Sequence, residues 1–294
     1  MEKKWKIVFR SGGKNMLPNA LFLNVHMYGV MIAVGLLCAF AVLYLYGKKK
    51  KISSGTLDFF FYNGILTIAF GFLSASLFQS LYNYIAHPEN GFRFFQGITF
   101  IGGLIGGAAF FLLGCWIFRK KLKEKLSDVI SLLPCCIVVG HAFGRIGCFF
   151  AGCCYGLPAT GFWSFLGVSF APGSDAYAEF GATPLHPTQL YEAGFLFLLF
   201  AVMSLLYLKK NFRHNLSLYL IGYGVVRFLL EFVRNDSRGQ FLGILSPSQF
   251  WSIVLVLIGV GLIFFDIFYI QKKNRQKEPE NISLPEESGN KEEL

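Results

Sequence analysis

Charge is scarce in this chain: only 15% of its 294 residues are Asp, Glu, Lys or Arg. A soluble globule carries roughly 25%, so the shortage argues against one or two soluble domains. Lys and Arg are missing altogether from Phe149 to Leu185. No small-residue cleavage pattern precedes the basic stop after the first apolar run, which excludes a cleaved signal peptide there and predicts a retained span. Inverted repeats and paired broken helices are also lacking, which speaks against a general solute transporter.

What is abundant is apolar sequence. The chain is 54% hydrophobic with 34 phenylalanines, and its mean hydropathy is positive. Apolar stretches fall at about 20–46, 57–86, 97–118, 128–150, 190–208, 214–232 and 246–270. Most reach the ~20 residues that cross a bilayer. The expected fold is therefore an all-α integral membrane protein of about seven transmembrane helices, with residues 1–270 as the membrane domain. Residues 271–294 are polar, with charges of both signs, and read as a disordered cytoplasmic tail.

The net charge of +10 does not point to nucleic acid, because the basic residues form short blocks between the apolar runs. Lys48 to Lys51 follow the first run, and Arg119, Lys120, Lys121, Lys123 and Lys125 follow the third. Lys209, Lys210 and Arg213 follow the fifth, and Lys272, Lys273, Arg275 and Lys277 the seventh. The positive-inside rule then predicts an external amino terminus and a cytoplasmic carboxyl terminus. The basic segment Lys3 to Lys14 runs against that orientation and is outvoted by four concordant blocks.

Ionisable residues inside apolar spans are costly and usually face the bundle interior. Arg145, Glu192, Arg227 and Glu231 stand out. Tyr223, Arg227 and Glu231 recur every four residues and form one polar stripe on a helix. Glu231 can neutralise only one arginine, so two buried arginines with few local carboxylates predict an anionic ligand such as a phosphate. Gly102, Gly103, Gly106 and Gly107 allow close approach of either a helix or a lipid to the backbone. Gly144 and Gly147 flank Arg145 and would admit a headgroup to it. Cys148, Cys153 and Cys154 cluster after Arg145. They read as packing or a disulfide, since no fourth metal ligand lies at a usual spacing. No metal and no cofactor are expected.

Taken in order, these motifs resemble the prolipoprotein diacylglyceryl transferase family of bacteria. His26-Met-Tyr28-Gly29-Val-Met31 is similar to the family's early Trp-Tyr-Gly segment. Gly144-Arg145-Ile-Gly147-Cys-Phe149, with Gly152 and Tyr155-Gly156, is similar to its Gly-Arg-x-Gly-Asn-Phe stretch. His186-Pro-Thr-Gln-Leu-Tyr-Glu192 resembles His-Pro-Ser-Gln-Leu-Tyr-Glu. Tyr223-Gly-Val-Val-Arg227-Phe-Leu-Leu-Glu231-Phe-Val-Arg234 resembles a late Tyr-Gly-x-x-Arg-x-x-x-Glu-Phe-x-Arg segment, and Ser248-Gln249-x-x-Ser252 also fits.

The resemblance implies a multi-pass enzyme of the bacterial plasma membrane. Such an enzyme moves diacylglyceryl from phosphatidylglycerol to the lipobox cysteine of a preprolipoprotein and releases glycerol phosphate. It implies Arg145, Arg227, Glu231 and Tyr28 as catalytic residues. Arg145, Tyr223 and Arg227 are the expected substrate-binding residues, with Gly102, Gly103 and Gly144 added from their spacing alone and His186 by positioning a loop at a span entrance. Arginines at the leaving phosphate would stabilise charge that grows in the transition state.

The sequence also departs from the family pattern. A His-Gly-Gly-Leu motif reads Ile101-Gly102-Gly103-Leu104, and the asparagine after Gly-Arg-x-Gly is Cys148. An expected Asn-Gly-Glu reads Ala151-Gly152-Cys153, and Gly-Arg-Leu-Gly reads Gly71-Phe-Leu-Ser74. Arg234 is followed by Asn235-Asp236-Ser237-Arg238-Gly239 in place of Pro-Asp. With the usual histidine replaced, His141, four residues before Arg145, and His26, beside Tyr28, become the candidate bases. A diverged acceptor, or lipid binding without catalysis, are the alternatives these changes raise.

Overall fold

The computed structural model describes residues 26–95, 97, 99–124, 129–210, 212–235 and 245–275. The basic segment Lys3 to Lys14, the run Asp236 to Gly239 and the end of the polar tail lie outside the described residues. The described residues are helical, with isolated backbone bridges and no strand.

The apolar runs become helices α1 (Met27–Lys49), α2 (Ser54–Ala86), α3 (Phe100–Phe118), α4 (Leu133–Ala151), α6 (Thr188–Lys210), α7 (Asn215–Leu230) and α8 (Pro247–Arg275), with a short α5 (Asp175–Phe180) in a loop. Five are long and apolar enough to cross a membrane: Met27–Lys49, Ser54–Ile85, Leu133–Ala151, Thr188–Lys210 and Pro247–Phe268. The apolar parts of α3 and α7, Gly102–Phe118 and Asn215–Leu230, are shorter.

Local chemistry sets several of the ends. Pro134 and Pro247 sit at the first turns of α4 and α8, where a missing N–H costs nothing. Gly152 ends α4 in the left-handed conformation, φ +69°, which a residue with a Cβ adopts at a cost. Lys48 and Lys49 in the last turn of α1, and Lys209 and Lys210 in that of α6, complement the carbonyl ends of those helices. The N-terminus of α2 is served from a distance: Glu124 accepts a hydrogen bond from the Ser53 backbone N–H at 2.6 Å, another from Ser53 Oγ at 3.0 Å, and one from Thr56.

α4 is the hub, packing against α1, α6 and α7. α1 crosses it at glycine: a Cβ on Gly35 would lie 2.9 Å from Phe143 Cβ and 3.0 Å from the Gly140 carbonyl. α7 and α8 meet in the same way, a Cβ on Gly224 falling 2.8 Å from the Ser252 carbonyl. Val138, Val139 and Ala142 of α4 form the core with Leu196, Leu199 and Met203 of α6. α2 and α3 form a hairpin that reaches this body mainly through α1.

Residues 152–187 fold as a cap with its own small core of Tyr155, Val168, Phe170 and Leu185. Bridges Pro158–Leu185 and Val168–Leu185 tie it together, and Gly156–Arg234 ties it to the segment after α7. Large apolar side chains such as Leu37, Leu66, Leu257 and Phe265 point outward, as they must when the solvent is hydrocarbon.

Candidate active site

The polar residues of the apolar helices converge where α4, α6, α7 and α8 meet. Arg145 leaves α4 and places Nε 2.9 Å from Glu192 Oε1 of α6. Its NH2 group donates to the Tyr223 hydroxyl at 3.3 Å, and that hydroxyl donates to Glu192 Oε1 at 2.9 Å. Glu192 is 1% exposed, so Arg145 and Tyr223, and not water, are the groups that meet its carboxyl group. His141, one turn before Arg145, has Nδ1 3.0 Å from the Tyr219 hydroxyl and Nε2 3.9 Å from Glu192. Its ring stands edge-on to Tyr223 at 4.7 Å, and Tyr219 stacks on Tyr223.

One turn further along α7 lies a second cluster. Arg227 NH1 is 2.7 Å from Glu231 Oε2, and its NH2 donates to Ser248 Oγ of α8 at 2.7 Å. Glu231 also accepts from Ser246 Oγ at 2.7 Å, and Arg234 Nε stands 3.8 Å away. The stripe read from α7 is therefore real, and it extends one turn back to Tyr219. Tyr223 and Arg227 on that stripe join the two clusters, about 6 Å apart along the helix axis.

The sequence argument that two buried arginines share too few local carboxylates is corrected here, since each has its own. Glu192 supplies one from another helix, 47 residues along the chain, a pairing that no local spacing encodes. What Arg145 does have is spare hydrogen-bonding capacity. A guanidinium carries five N–H donors, and among the described residues the aligned hydrogen bond from Arg145 goes to Tyr223. Its Nε faces Glu192 in distance but not in N–H direction. The side chain is 16% exposed, and a Cβ on the neighbouring Gly144 would meet nothing within 4 Å.

Other predicted positions fall as follows. Tyr28 packs its ring against Gly147, a Cβ there lying 3.1 Å from Tyr28 Cδ2. Its hydroxyl lies in the field of Arg145 and of Cys148, Cys153 and Cys154. His186 binds Tyr191 across 3.0 Å through Nδ1, and its backbone pairs with Gly156 and Leu157, so it braces the cap. Gly102 and Gly103 face α2: a Cβ on Gly102 would lie 2.5 Å from Phe78 Cβ, and one on Gly103 3.2 Å from Ala75 Cβ. Of the two readings of that glycine run, helix packing is the one these contacts express. His26 precedes α1 as its cap residue. The Sγ atoms of Cys148, Cys153 and Cys154 lie within 4.8 Å of one another, and no disulfide joins any of the seven cysteines.

Comparison with known proteins bears on this arrangement. A family model described as prolipoprotein diacylglyceryl transferase matches residues 16–265. The chain belongs to the prolipoprotein diacylglyceryl transferase family. Among relatives, a phosphatidylglycerol–prolipoprotein diacylglyceryl transferase of Clostridium tetani is 36% identical over 260 residues, 87% of this chain and 98% of the relative. One of Clostridium perfringens, the second such enzyme named there, is 35% identical over 251 residues, 83% of this chain and 91% of the relative. One of Bordetella bronchiseptica is 33% identical over 258 residues, with the same coverage. This family is one of membrane transferases, and both arginine clusters lie inside its matched span.

Glu192 as the partner of Arg145, Tyr219, and Ser246 are site residues that the sequence reading did not place. Tyr219 had a usable signal, since it stands four residues before Tyr223 on the same face. Ser246 had none, because its role depends on how α8 approaches α7.

Proposed function

We propose that this chain transfers the diacylglyceryl group of phosphatidylglycerol to the thiol of a lipobox cysteine in a preprolipoprotein, releasing glycerol phosphate. The observation that carries this reading is Arg145: a nearly buried guanidinium, fixed by Glu192 and Tyr223, with N–H donors to spare beside the open flank of Gly144. A phosphate there is met by charge-assisted, directional donors. Arg227, held by Glu231 and Ser248, adds positive charge one turn away.

In the reaction the acceptor sulfur attacks the glyceryl carbon that bears the phosphate ester. The C–S bond forms as the C–O bond breaks, and the electron pair leaves on glycerol phosphate. Negative charge moves onto phosphate oxygens, so fixed arginines favour the transition state over the bound lipid. Tyr28 and Tyr223 are suited to hydrogen-bond the headgroup, and Glu231 to orient Arg227. His141, one turn before Arg145, is the candidate to accept the thiol proton when no other group ionises the acceptor. The proposed setting is seven spans in the bacterial plasma membrane, with the amino terminus outside and the carboxyl terminus in the cytoplasm. That topology places the arginine-free loop 149–185 on the outer face.

Complementation tests the reading. The chain should restore growth to a strain depleted of its own diacylglyceryl transferase and should lipidate a lipobox peptide from phosphatidylglycerol in detergent. Failure of both would remove the proposal. Retained phosphatidylglycerol binding without turnover would replace it with a lipid-binding role.

A further inference from the structure

We propose that Cys148, Cys153 and Cys154 bind a thiophilic d10 cation, Zn2+ in the first instance, and that this cation holds and ionises the acceptor thiol. The inference rests on the transferase reading above and adds a metal to it. Its physical basis is a three-thiol cluster whose sulfurs all lie within 4.8 Å of one another. In a tetrahedral zinc thiolate the Zn–S bond is about 2.3 Å, which puts sulfurs about 3.8 Å apart. Small side-chain rotations reach that spacing. Among the described residues no fourth His, Asp, Glu or Cys joins the group. Three protein ligands with one position left for substrate is the pattern of a catalytic zinc site, whereas structural sites close all four.

The backbone holds the sulfurs in place. Gly152 turns the chain out of α4 with φ +69°, and Cys154 itself has φ +62°. Gln189 donates to the Cys153 carbonyl at 2.5 Å and Thr188 to the Cys154 carbonyl at 2.7 Å. A non-glycine residue in the left-handed region persists only where its surroundings over-determine it, and two side chains of α6 do so here. Cys115 and Cys135 differ: they are sealed in the apolar core and behave as small hydrophobes. The three clustered thiols are only partly buried.

The cluster also stands beside the phosphate site. Cys148 follows Arg145 by three residues on α4, hence on the same face, and each lies in the other's field. Tyr28 lies in the field of both. A sulfur held at this metal would therefore sit next to the group that Arg145 positions.

The chemistry balances without oxidation. On binding the metal, the three cysteines release their protons to water. The acceptor thiol takes the open position and releases its proton likewise, since a metal-coordinated thiol is deprotonated outright. Its lone pair forms the C–S bond while the C–O bond to phosphate breaks and glycerol phosphate departs. The product thioether, uncharged and a weaker ligand than thiolate, dissociates and frees the position.

The test uses the full chain purified in detergent and stripped with a chelator. Cd2+, a spectroscopic stand-in for Zn2+, should bind at about one equivalent and give a thiolate charge-transfer band in the near ultraviolet that excess Zn2+ removes. Cys153→Ser and Cys154→Ser should each abolish the band, while Cys38→Ser should leave it intact. In transfer to a lipobox peptide near pH 7, stripped protein should be about thirtyfold slower than zinc-loaded protein. This follows because a free thiol of pKa about 8.5 is only ~3% ionised there. The deficit should shrink as pH rises toward 9, where the acceptor ionises unaided.

Absence of the band, a band that survives both serine variants, or a Cys148–Cys153 disulfide in freshly purified protein would overturn the site. Equal rates for stripped and loaded protein would overturn the catalytic role of the metal and leave the transferase standing. A thiolate band with no transfer at any metal loading would do the reverse, removing the transferase and keeping the metal site.

Discussion

The α4–α6–α7–α8 body and the α2–α3 hairpin are built from similarly apolar helices, yet they spend their polar residues differently. In the body, charged and phenolic groups from several helices meet: Arg145 with Glu192 and Tyr223, Arg227 with Glu231 and Ser248. In the hairpin, α2 and α3 approach each other through glycine, and the polar contacts between them include Ser74 Oγ to the Gly102 carbonyl at 2.8 Å. Glycine packing needs only shape, whereas buried ion pairs need each partner in place, because a lone buried charge is expensive. The body is accordingly the part where single substitutions should silence chemistry, and the hairpin the part where they should loosen structure.

The sharpest break in that contrast is at Arg145. Arg145→Ala should lower transfer to a lipobox peptide by roughly 100- to 1,000-fold, the range seen when a donor to a developing oxyanion is lost. It also leaves Glu192 without its guanidinium, so stability should fall by about 3–5 kcal/mol. Arg145→Lys, which retains the charge, separates the two effects: recovered thermal stability with poor turnover identifies the loss as catalytic. If Arg145→Lys turns over like the parent, directional phosphate recognition by Arg145 is wrong.

In the hairpin the counterpart is Gly102→Leu, whose effect should fall on stability and not on turnover. A Cβ there already lies 2.5 Å from Phe78 Cβ, so overpacking should cost about 1–3 kcal/mol, read as a lower melting temperature. Turnover per folded molecule should hold. Lower turnover at unchanged stability would instead place Gly102 in a substrate groove and blur the contrast.

Tyr223→Phe should act in the body more mildly. It removes one hydrogen bond to Glu192 and one from Arg145. Hydrogen bonds to charged groups contribute about 1.5–3 kcal/mol, which corresponds to a roughly ten- to hundredfold loss of kcat/KM. An unchanged rate would show that Tyr223 does not help to fix Arg145.

The smallest expected effect is a pH dependence outside the spans. At Glu124, burial raises the carboxyl pKa, but hydrogen bonds from Thr56 and Ser53 outweigh burial and lower it below the ordinary value of 4.5. A carboxylate with a depressed folded pKa contributes stability above its unfolded pKa and loses it as pH falls through the folded one. The anchoring of α2 should therefore hold near neutrality and weaken in acid below about pH 4.5. Glu124→Gln should flatten that part of a melting-temperature profile; an unaltered acid limb would mean that Glu124 does not anchor the hairpin.

Much of this was legible in the chain itself where neighbours are close in sequence. Arg227 and Glu231, four apart on one helix, pair as their spacing says, because helical periodicity alone brings them together. Gly152 marks the end of α4 for an equally local reason. The run Gly102 to Gly107 stayed ambiguous, since a small residue shows that something comes near without showing what. The Arg145–Glu192 pair was hidden in a different way. Both residues were conspicuous as charges in apolar runs, but nothing in one helix says which way its neighbour is rotated.

By itself, then, the sequence determined the apolar helices, the polar stripe on α7 and the presence of arginines where charge is costly, since each depends on composition or on a period of a few residues. The tertiary structure alone decided that Glu192 serves Arg145, that α8 brings Ser246 and Ser248 to the stripe, and that three thiols gather at the end of α4. Those outcomes depend on the rotation and crossing of whole helices. Close contacts such as Gly35 on Gly140 and Gly224 on Ser252 set that geometry, and it becomes defined only when the bundle is assembled.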